Sequence, residues 1–530
     1  MLRSRPALRS ASAHERTLAL GVAATLGAAW MVIGPKTADL AAQVYRVGLF
    51  NREGFALWDN AWFGGHHLPG YSVLFPPLGS LLGARTVGLI AVAASAVLFA
   101  DLMRRHYGAR LYWAVGWFAA VAVGDLFIGR LTFALGVAAA LACLAAISHG
   151  RYGLAMVFAL ATPAASPVAG LFLGLVLAVT WPRLRPRKRV YVVILLAAGV
   201  GAMAFMFPDG GQQPYDLSAA LLALGIVLAV RAQLAPGEVL LRRAAALYAV
   251  AIAASYIVPT PVGSNVARLG VLVAGPLFLV SRRRSQPALV ALTCIAIVLW
   301  QAWGPVTEVG KATSTTANGP AYFVPLLAEL EAVGAHSGRV EVVPTATRWE
   351  SVYVARQFAL ARGWESQLDR SYNALFYKDG LTARAYRQWL AENGVGFVAV
   401  PDAPRERWGR AEARLIASGL PFLRPVWSNA HWKLFRVRGA RGLAGPGEEV
   451  TLRPAGFVLK TPHSGVATVR VRWTQYWTVV PHGCVRRSPK GFTQVIAPAA
   501  GTYVVQATWS LGAALEGRGS CASGSSPNGP

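Results

Sequence analysis

Side chains that can do chemistry are concentrated between residues 35 and 70. This stretch holds three carboxylates, three cations and two adjacent histidines: Asp39, Glu53, Asp59, Lys36, Arg46, Arg52, His66 and His67. A carboxylate can remove the proton of a hydroxyl group as a general base. Cations stabilise the charge that develops on a phosphate leaving group. We therefore take Asp39 and Asp59 as candidate catalytic residues of a group-transfer reaction.

The spacing of the polar residues predicts how this stretch folds. Residues 39–49 are expected to form a helix that lies on the membrane, in which Asp39, Gln43 and Arg46 share one face. We take Arg46, His66 and His67 as candidate substrate-binding residues. Adjacent residues of a strand point to opposite faces, so the two histidines are poorly placed to bind one metal ion. Whether a divalent metal takes part is left open, and no ligand set is assigned.

Two further polar positions lie at the ends of apolar runs. Arg268 stands just inside one such run, three residues after Asn265. An arginine at a membrane edge either extends toward the headgroups or lines a polar cavity, and on the second interpretation Asn265 and Arg268 bind substrate. Asp125 and Arg130 flank a tight turn between two apolar runs, and this spacing predicts a local ion pair first and a site second.

The elements that must position these residues are membrane spans. The chain has 530 residues, of which 55% are hydrophobic and 14% charged, whereas roughly 25% are charged in an average globular domain. Apolar runs of spanning or near-spanning length occupy residues 17–34, 86–103, 111–128, 131–148, 190–207, 217–230, 241–258, 266–280 and 288–303. A further run, 152–181, contains Pro163 and Pro167, which predict two short helices that meet at 162–167. This gives about 11 spans, and residues 71–83 are expected to form an interfacial or re-entrant segment.

The net charge of +27 is explained by arginine clusters between the spans. Loops on one side carry 19 Lys and Arg, and those on the other side carry 6. The positive-inside rule then places the N-terminus in the cytoplasm and the residues after the last span outside it. No zinc-finger, RRM or helix-turn-helix pattern is present, so the charge does not indicate a nucleic-acid partner.

The predicted domains follow from these patterns. Residues 1–304 form an α-helical polytopic membrane domain with a large first outer loop at 35–70. Residues 305–440 alternate strand and helix and predict an extracytoplasmic α/β domain, with strands at 339–343 and 395–401. Residues 441–511 alternate with period two and predict a small β-sandwich, and 512–530 predict a flexible tail. Cys484 and Cys521 are the two cysteines of this region, and the sequence leaves their pairing open.

The first loop resembles that of a known superfamily. A first span, an early Asp39 and the pattern W-[DN]-x-x-x-x-G-x-x-x-x-P-x-Y-x-x-x-x-P-P, here from Trp58-Asp59 to Pro76-Pro77, are similar to the GT-C polytopic membrane glycosyltransferases. The likeness is to bacterial members with an extracytoplasmic C-terminal domain. The resemblance implies a GT-C-like fold, a polyprenyl-phosphate sugar donor and Asp39 as the base or a metal ligand.

The leading hypothesis is therefore a membrane glycosyltransferase of the plasma membrane. It would act within the bilayer on a polyprenyl-phosphate-linked sugar and transfer the sugar to a glycan or lipid acceptor of the envelope. Two alternatives remain open. Prolines that break helices also suit a transporter or flippase of an envelope lipid, and a non-catalytic envelope assembly factor would need no base.

Overall fold

The computed structural model describes residues 6–108, 111–180, 187–283, 286–517 and 520–521. The chain divides into two compact units. Unit one comprises residues 1–43 and 70–313, and unit two comprises residues 44–69 and 314–530. Several arginines of the clusters used to predict orientation lie outside the described residues: Arg3, Arg5, Arg110, Arg183, Arg185 and Arg284.

Unit one is helical. Its elements, with α2 running on into unit two, are α1 (Pro6–Ile33), α2 (Ala38–Glu53), α3 (Phe75–Leu82), α4 (Ala84–Tyr107), α5 (Tyr112–Ile128), α6 (Leu131–Ser148), α7 (Tyr152–Ala165), α8 (Pro167–Thr180), α9 (Arg187–Met206), α10 (Leu217–Gln233), α11 (Val239–Ile257), α12 (Ala267–Ser281) and α13 (Pro287–Thr313). Within the described ranges, seven helices are long and apolar enough to cross a membrane, and α5, α7, α8 and α10 are shorter apolar helices. The number of about 11 spans stays a prediction.

The break between α7 and α8 explains the short segment at 71–83. Pro167 has no N–H group, so the last carbonyls of α7 lack their usual helical donors. The Ala164 carbonyl instead accepts from the amides of Val73 and Leu74, at 2.8 and 3.1 Å. The Ser72 hydroxyl accepts from the Phe75 amide at 3.1 Å. The predicted two-helix arrangement is confirmed, and the broken helix end anchors the segment that leads into α3.

Unit two begins with an α/β region. Its helices are α14 (Pro320–Ala332), α15 (Glu350–Tyr353), α16 (Ser366–Tyr372), α17 (Ala383–Glu392) and α18 (Arg410–Ala417). The chain also forms the hairpin strands β1 (Trp58–Asp59) and β2 (His66–His67), followed by β3 (Arg339–Val342), β4 (Val395–Pro401), β5 (Leu423–Ser428) and β6 (Trp432–Val437). The sheet order is β3-β4-β6-β5, with only β3 and β4 parallel. The two predicted strands are confirmed, and both are largely buried.

The remaining strands form two sheets. They are β7 (Glu449–Arg453), β8 (Gly456–Thr461), β9 (Gly465–Arg472), β10 (Trp477–Val480), β11 (Cys484–Arg487), β12 (Phe492–Ala497) and β13 (Gly501–Ala507). The sheets have the orders β10-β13-β8-β7 and β11-β12-β9. Alternate residues of both sheets, among them Phe457, Val469 and Val505, are buried in one hydrophobic cluster. Trp477 and Tyr476 are also buried, so both rings pack within the interior of this region.

Two chain boundaries differ from those expected. The predicted domain boundary at residue 304 lies within α13, which continues through Pro305 to Thr313. Of the predicted tail at 512–530, the structure describes most of helix α19 (Leu511–Glu516) and the disulfide between Cys484 and Cys521. Residues 518–519 and 522–530 lie outside the described residues.

Candidate functional site

The start of α2 is fixed against the turn between α5 and α6. The Thr37 hydroxyl donates to the Ile128 carbonyl at 2.9 Å. Gly129 has φ +94°, and a Cβ atom there would lie 2.3 Å from the Leu40 backbone nitrogen. Only glycine adopts this conformation without strain and also leaves room for α2. The close approach therefore brings Asp39, in the first turn of α2, beside Arg130, the residue after Gly129.

That residue is Arg130, which lies between two carboxylates. Its Nε lies 3.4 Å from Asp39 Oδ2, and its Nη1 lies 3.6 Å from Asp125 Oδ1. The side chains of Asp39 and Arg130 are 26% and 25% exposed, and that of Asp125 is 12% exposed. The predicted local pair of Asp125 and Arg130 is present, and the structure adds Asp39 to it. Asp39 is therefore held in place and remains accessible.

Arg268 completes the charged cluster. It lies in the first turn of α12, where it interacts electrostatically with Arg130, Asp39, Tyr71 and Asp125. Its guanidinium lies over the Phe133 ring, 5.4 Å from the ring centroid. Its Nε is buried and donates to no acceptor within the part of the chain that the structure describes. We call Asp39, Asp125, Arg130 and Arg268 the outer cluster, after the side that the arginine distribution predicts for it.

Asn265, which is predicted to bind substrate together with Arg268, forms a local hydrogen bond at the turn in which it lies. It lies in a 3₁₀ turn, Gly263–Val266, that leads into α12. Its Nδ2 donates to the Pro261 carbonyl at 3.4 Å, and the residue is only 8% exposed. Asn265 therefore supports the segment that carries Arg268, and the structure does not present it as a ligand of substrate.

The outer cluster combines two chemical capacities. Asp39 offers a carboxylate that substrate can reach, and Arg268 offers a guanidinium whose Nε–H has no acceptor among the described residues. Such a pair can take a proton from one substrate and bind an anionic group of another. Across the ranges that the structure describes, no group of three or more His, Cys, Asp or Glu side chains could hold a metal ion.

Asp59 is buried in unit two, so the structure does not present it as the accessible carboxylate that a catalytic role would need. It is 0% exposed. The Tyr45 hydroxyl donates to its carboxylate at 3.0 and 3.2 Å, and the Ala61 amide donates at 3.0 Å. Burial raises the pKa of Asp59 from 3.8 to about 6, against the opposing effect of these hydrogen bonds. A substrate cannot reach this carboxylate, so its contacts serve the fold of the hairpin.

His66 and His67 are also enclosed, so the structure does not present them to a substrate as expected. Both lie in β2, opposite β1. The His66 ring is stacked on Trp62, with the centroids 5.3 Å apart, and is 0% exposed. The His67 Nε2 lies 2.8 Å from the Thr474 hydroxyl. The two rings point to opposite faces, as the sequence predicts, and each packs into unit two.

Arg46 is a third predicted ligand that the structure places in the interior of unit two. Its Nη2 lies 3.1 Å from Glu365 Oε2, and its side chain is 2% exposed. The guanidinium lies over the rings of Trp62 and Trp364, at 5.6 and 5.5 Å from their centroids. A guanidinium enclosed by two indoles and paired with a carboxylate is not available to a phosphate.

The first-loop pattern therefore has a structural explanation. Trp58 belongs to the hydrophobic cluster of the two sheets. Gly64 has φ +79°, and a Cβ atom there would lie 3.1 Å from the Arg339 guanidinium. Arg472 donates to the Phe63 and Gly64 carbonyls at 3.1 and 2.7 Å. These residues attach the loop to unit two. The density of large aromatic residues in the loop was the signal for this burial.

The sequence and the fold differ in how far they resemble known proteins. No family model matches the sequence, and no curated protein matches it. The fold is similar to the single-particle cryo-EM structure of the arabinofuranosyltransferase AftD from Mycobacteria, with a TM-score of 0.45 and 17% sequence identity. The similarity covers 88% of this chain and 41% of that one. This chain thus spans less than half the length of that glycosyltransferase.

Proposed function

We propose that this protein is a membrane glycosyltransferase that moves a sugar from a polyprenyl-phosphate donor to a hydroxyl group of an envelope glycan or lipid. The observation that carries the proposal is the outer cluster, in which the accessible Asp39 is held by Arg130 close to Arg268. The resemblance of the first loop to GT-C enzymes supplies the class of donor. The same resemblance supports Asp39 as the reacting carboxylate.

The proposed reaction assigns one role to each residue. Asp39 takes the proton of the acceptor hydroxyl as its oxygen bonds to the anomeric carbon of the sugar. The bond from that carbon to the phosphate oxygen breaks, and polyprenyl phosphate leaves with the electron pair. Arg268 stabilises the added negative charge on the phosphate. Arg130 is assigned the role of a positioning residue, because it holds Asp39 through the ion pair.

The proposed location is the plasma membrane, with the N-terminus in the cytoplasm and unit two outside it. Two observations support this orientation. Basic residues are concentrated in the loops assigned to the cytoplasm. Cys484 and Cys521 of unit two form a disulfide, a bond that persists in oxidising compartments outside the cytoplasm. The outer cluster then lies on the side where envelope acceptors are found.

The test is transfer by the purified full chain in detergent micelles. The donors are polyprenyl phosphates that carry radiolabelled pentoses or hexoses, and the acceptor is total envelope material that contains both glycans and lipids. We expect the wild type to release polyprenyl phosphate and to label the acceptor. Asp39→Asn keeps the shape of the side chain and loses the base, so transfer should fall by roughly 10²- to 10⁴-fold. Arg268→Gln should raise the KM for the donor, because it removes the proposed phosphate ligand.

The matched control is Asp216→Asn. Asp216 is an exposed residue at the start of α10, on the side predicted to be outer, and its variant should keep transfer within about twofold of wild type, as surface changes usually do. Full activity of Asp39→Asn would contradict its role as the base. If no donor is consumed but labelled lipid crosses a vesicle membrane, the protein is a transporter and the glycosyltransferase proposal is wrong.

A further inference from the structure

A long groove runs along the helices of unit one, separate from the outer cluster. It has a volume of about 940 Å³ and is lined by residues of α1, α4, α6 and α7, together with Leu74. Small side chains of α6 form much of its wall: Ala138, Ala139, Ala142, Ala145 and Ala146. On α6 it extends from Leu135 to Ala146, which is about 17 Å at 1.5 Å per residue. That length is close to one leaflet, half of a hydrocarbon core about 30 Å thick.

One end of this groove is polar and basic. Arg16, Asp101, His149 and Arg151 line it there. Asp101 forms an ion pair with Arg16 and also lies 3.2 Å from Arg105 and 3.1 Å from His149. Two arginines and one histidine thus surround one carboxylate, and with Arg151 this end of the groove has an excess of positive charge. The positive-inside rule assigns this end to the cytoplasmic face, where anionic headgroups lie.

The two ends of the groove match the two parts of one kind of molecule. An apolar channel of leaflet length accepts an acyl chain, and a cationic end accepts a phosphodiester. We propose that this groove binds an anionic glycerophospholipid of the bilayer, with one acyl chain along α6 and its phosphate between Arg16 and Arg151. Basic pockets between spanning helices on the cytoplasmic side bind anionic lipids by the same physical chemistry.

The size of the effect follows from the charges. Each arginine near an anionic headgroup contributes about 1 kcal/mol, which is about a fivefold change in affinity for each side chain. The test is native mass spectrometry of the full chain in detergent, titrated with phosphatidylglycerol or with phosphatidylcholine of the same acyl chains. We expect phosphatidylglycerol to bind at least fivefold more tightly. In Arg16→Gln/Arg151→Gln this preference should disappear, while binding of phosphatidylcholine stays within twofold.

Two further variants distinguish the contribution of the lipid headgroup to binding from that of the acyl chain. Arg243→Gln removes an exposed arginine of α11 that does not line the groove, and it should leave the preference unchanged. Ala142→Phe narrows the channel and should weaken both lipids equally. Because Arg16 pairs with Asp101, Arg151→Gln alone serves as the variant that keeps that pair, and it should lose about fivefold in affinity for phosphatidylglycerol.

Three results would overturn the proposal. The first is equal binding of the two lipids by the wild type, and the second is a preference that survives in the double variant. The third is arginine-dependent binding of polyprenyl phosphate that displaces phosphatidylglycerol at equimolar concentration, since the groove would then be a site for the carrier lipid.

Discussion

Replacement of Asp59 by Asn should stabilise unit two, and the gain should grow as the pH rises. The physical reason is the burial that raises the pKa of Asp59 from 3.8 to about 6. Because this carboxyl ionises at a lower pH in the unfolded chain than in the folded protein, the free energy of unfolding decreases once the pH exceeds the unfolded pKa. Stability from this group is therefore complete below about pH 4 and is lost as the pH rises through about 6.

The magnitude follows from that displacement of the pKa. One pKa unit corresponds to about 1.4 kcal/mol, so the ionised carboxylate costs about 3 kcal/mol at pH 7.5 and about 1 kcal/mol at pH 4.5. Asn keeps the Oδ1 acceptor for the Ala61 amide, and its Nδ2 can donate to the Tyr45 oxygen that now lies 3.0 Å from Oδ2. The variant should therefore exceed the wild type in unfolding free energy by about 2 kcal/mol more at pH 7.5 than at pH 4.5.

The assay is urea unfolding of the full chain in detergent micelles, followed by tryptophan fluorescence at the two pH values. Other buried acids of unit two, such as Glu350, whose pKa burial raises to about 7, titrate in both proteins and cancel in the difference. Asp379→Asn, at an exposed position of the same unit, is the matched control and should show no pH-dependent gain. A difference between Asp59→Asn and wild type that is the same at both pH values would refute the reasoning.

Two further predictions concern the positioning of α2 and the disulfide. Gly129→Ala would place a methyl group 2.3 Å from the Leu40 nitrogen at a φ of +94°, so α2 should shift and transfer activity should fall at least tenfold. Gly116→Ala, at an open helical position, is the control and should keep its transfer activity. An active Gly129→Ala variant would contradict the packing argument. Cys521→Ser removes the disulfide to Cys484, which lies 37 positions away, and should lower the unfolding free energy of unit two by about 2 to 4 kcal/mol. The measurement is urea unfolding, with the disulfide of the wild type established by peptide mapping. An unchanged unfolding midpoint would contradict this prediction.

The outer cluster was only partly predictable. Asp39 is the early acidic residue of the first loop, and Asp125 and Arg130 are predicted as a local pair from their spacing around a short turn. Nothing in the sequence indicates that Asp39 lies 3.4 Å from Arg130, because these residues are 91 positions apart. A contact of this kind depends on which helices pack together. Gly129 between two apolar runs was the available signal, since a glycine in such a turn often marks a close backbone approach.

The sequence by itself determined the features that depend on local physical chemistry. The apolar runs, the proline break at 163–167, the strands at 339–343 and 395–401 and the clusters of arginines are all legible from residue type and period. Only the tertiary structure decided which polar residues of the first loop are accessible. Asp59, His66 and Arg46 are chemically suited to a site, yet they are enclosed by Tyr45, Trp62 and Trp364 within unit two. The many aromatic residues of the loop indicate that part of it is buried, but hydrophobic period reports only the preference of each short segment. The burial of Arg46 depends on Trp364 and on Glu365, which is 319 positions away, and no local pattern records such partners.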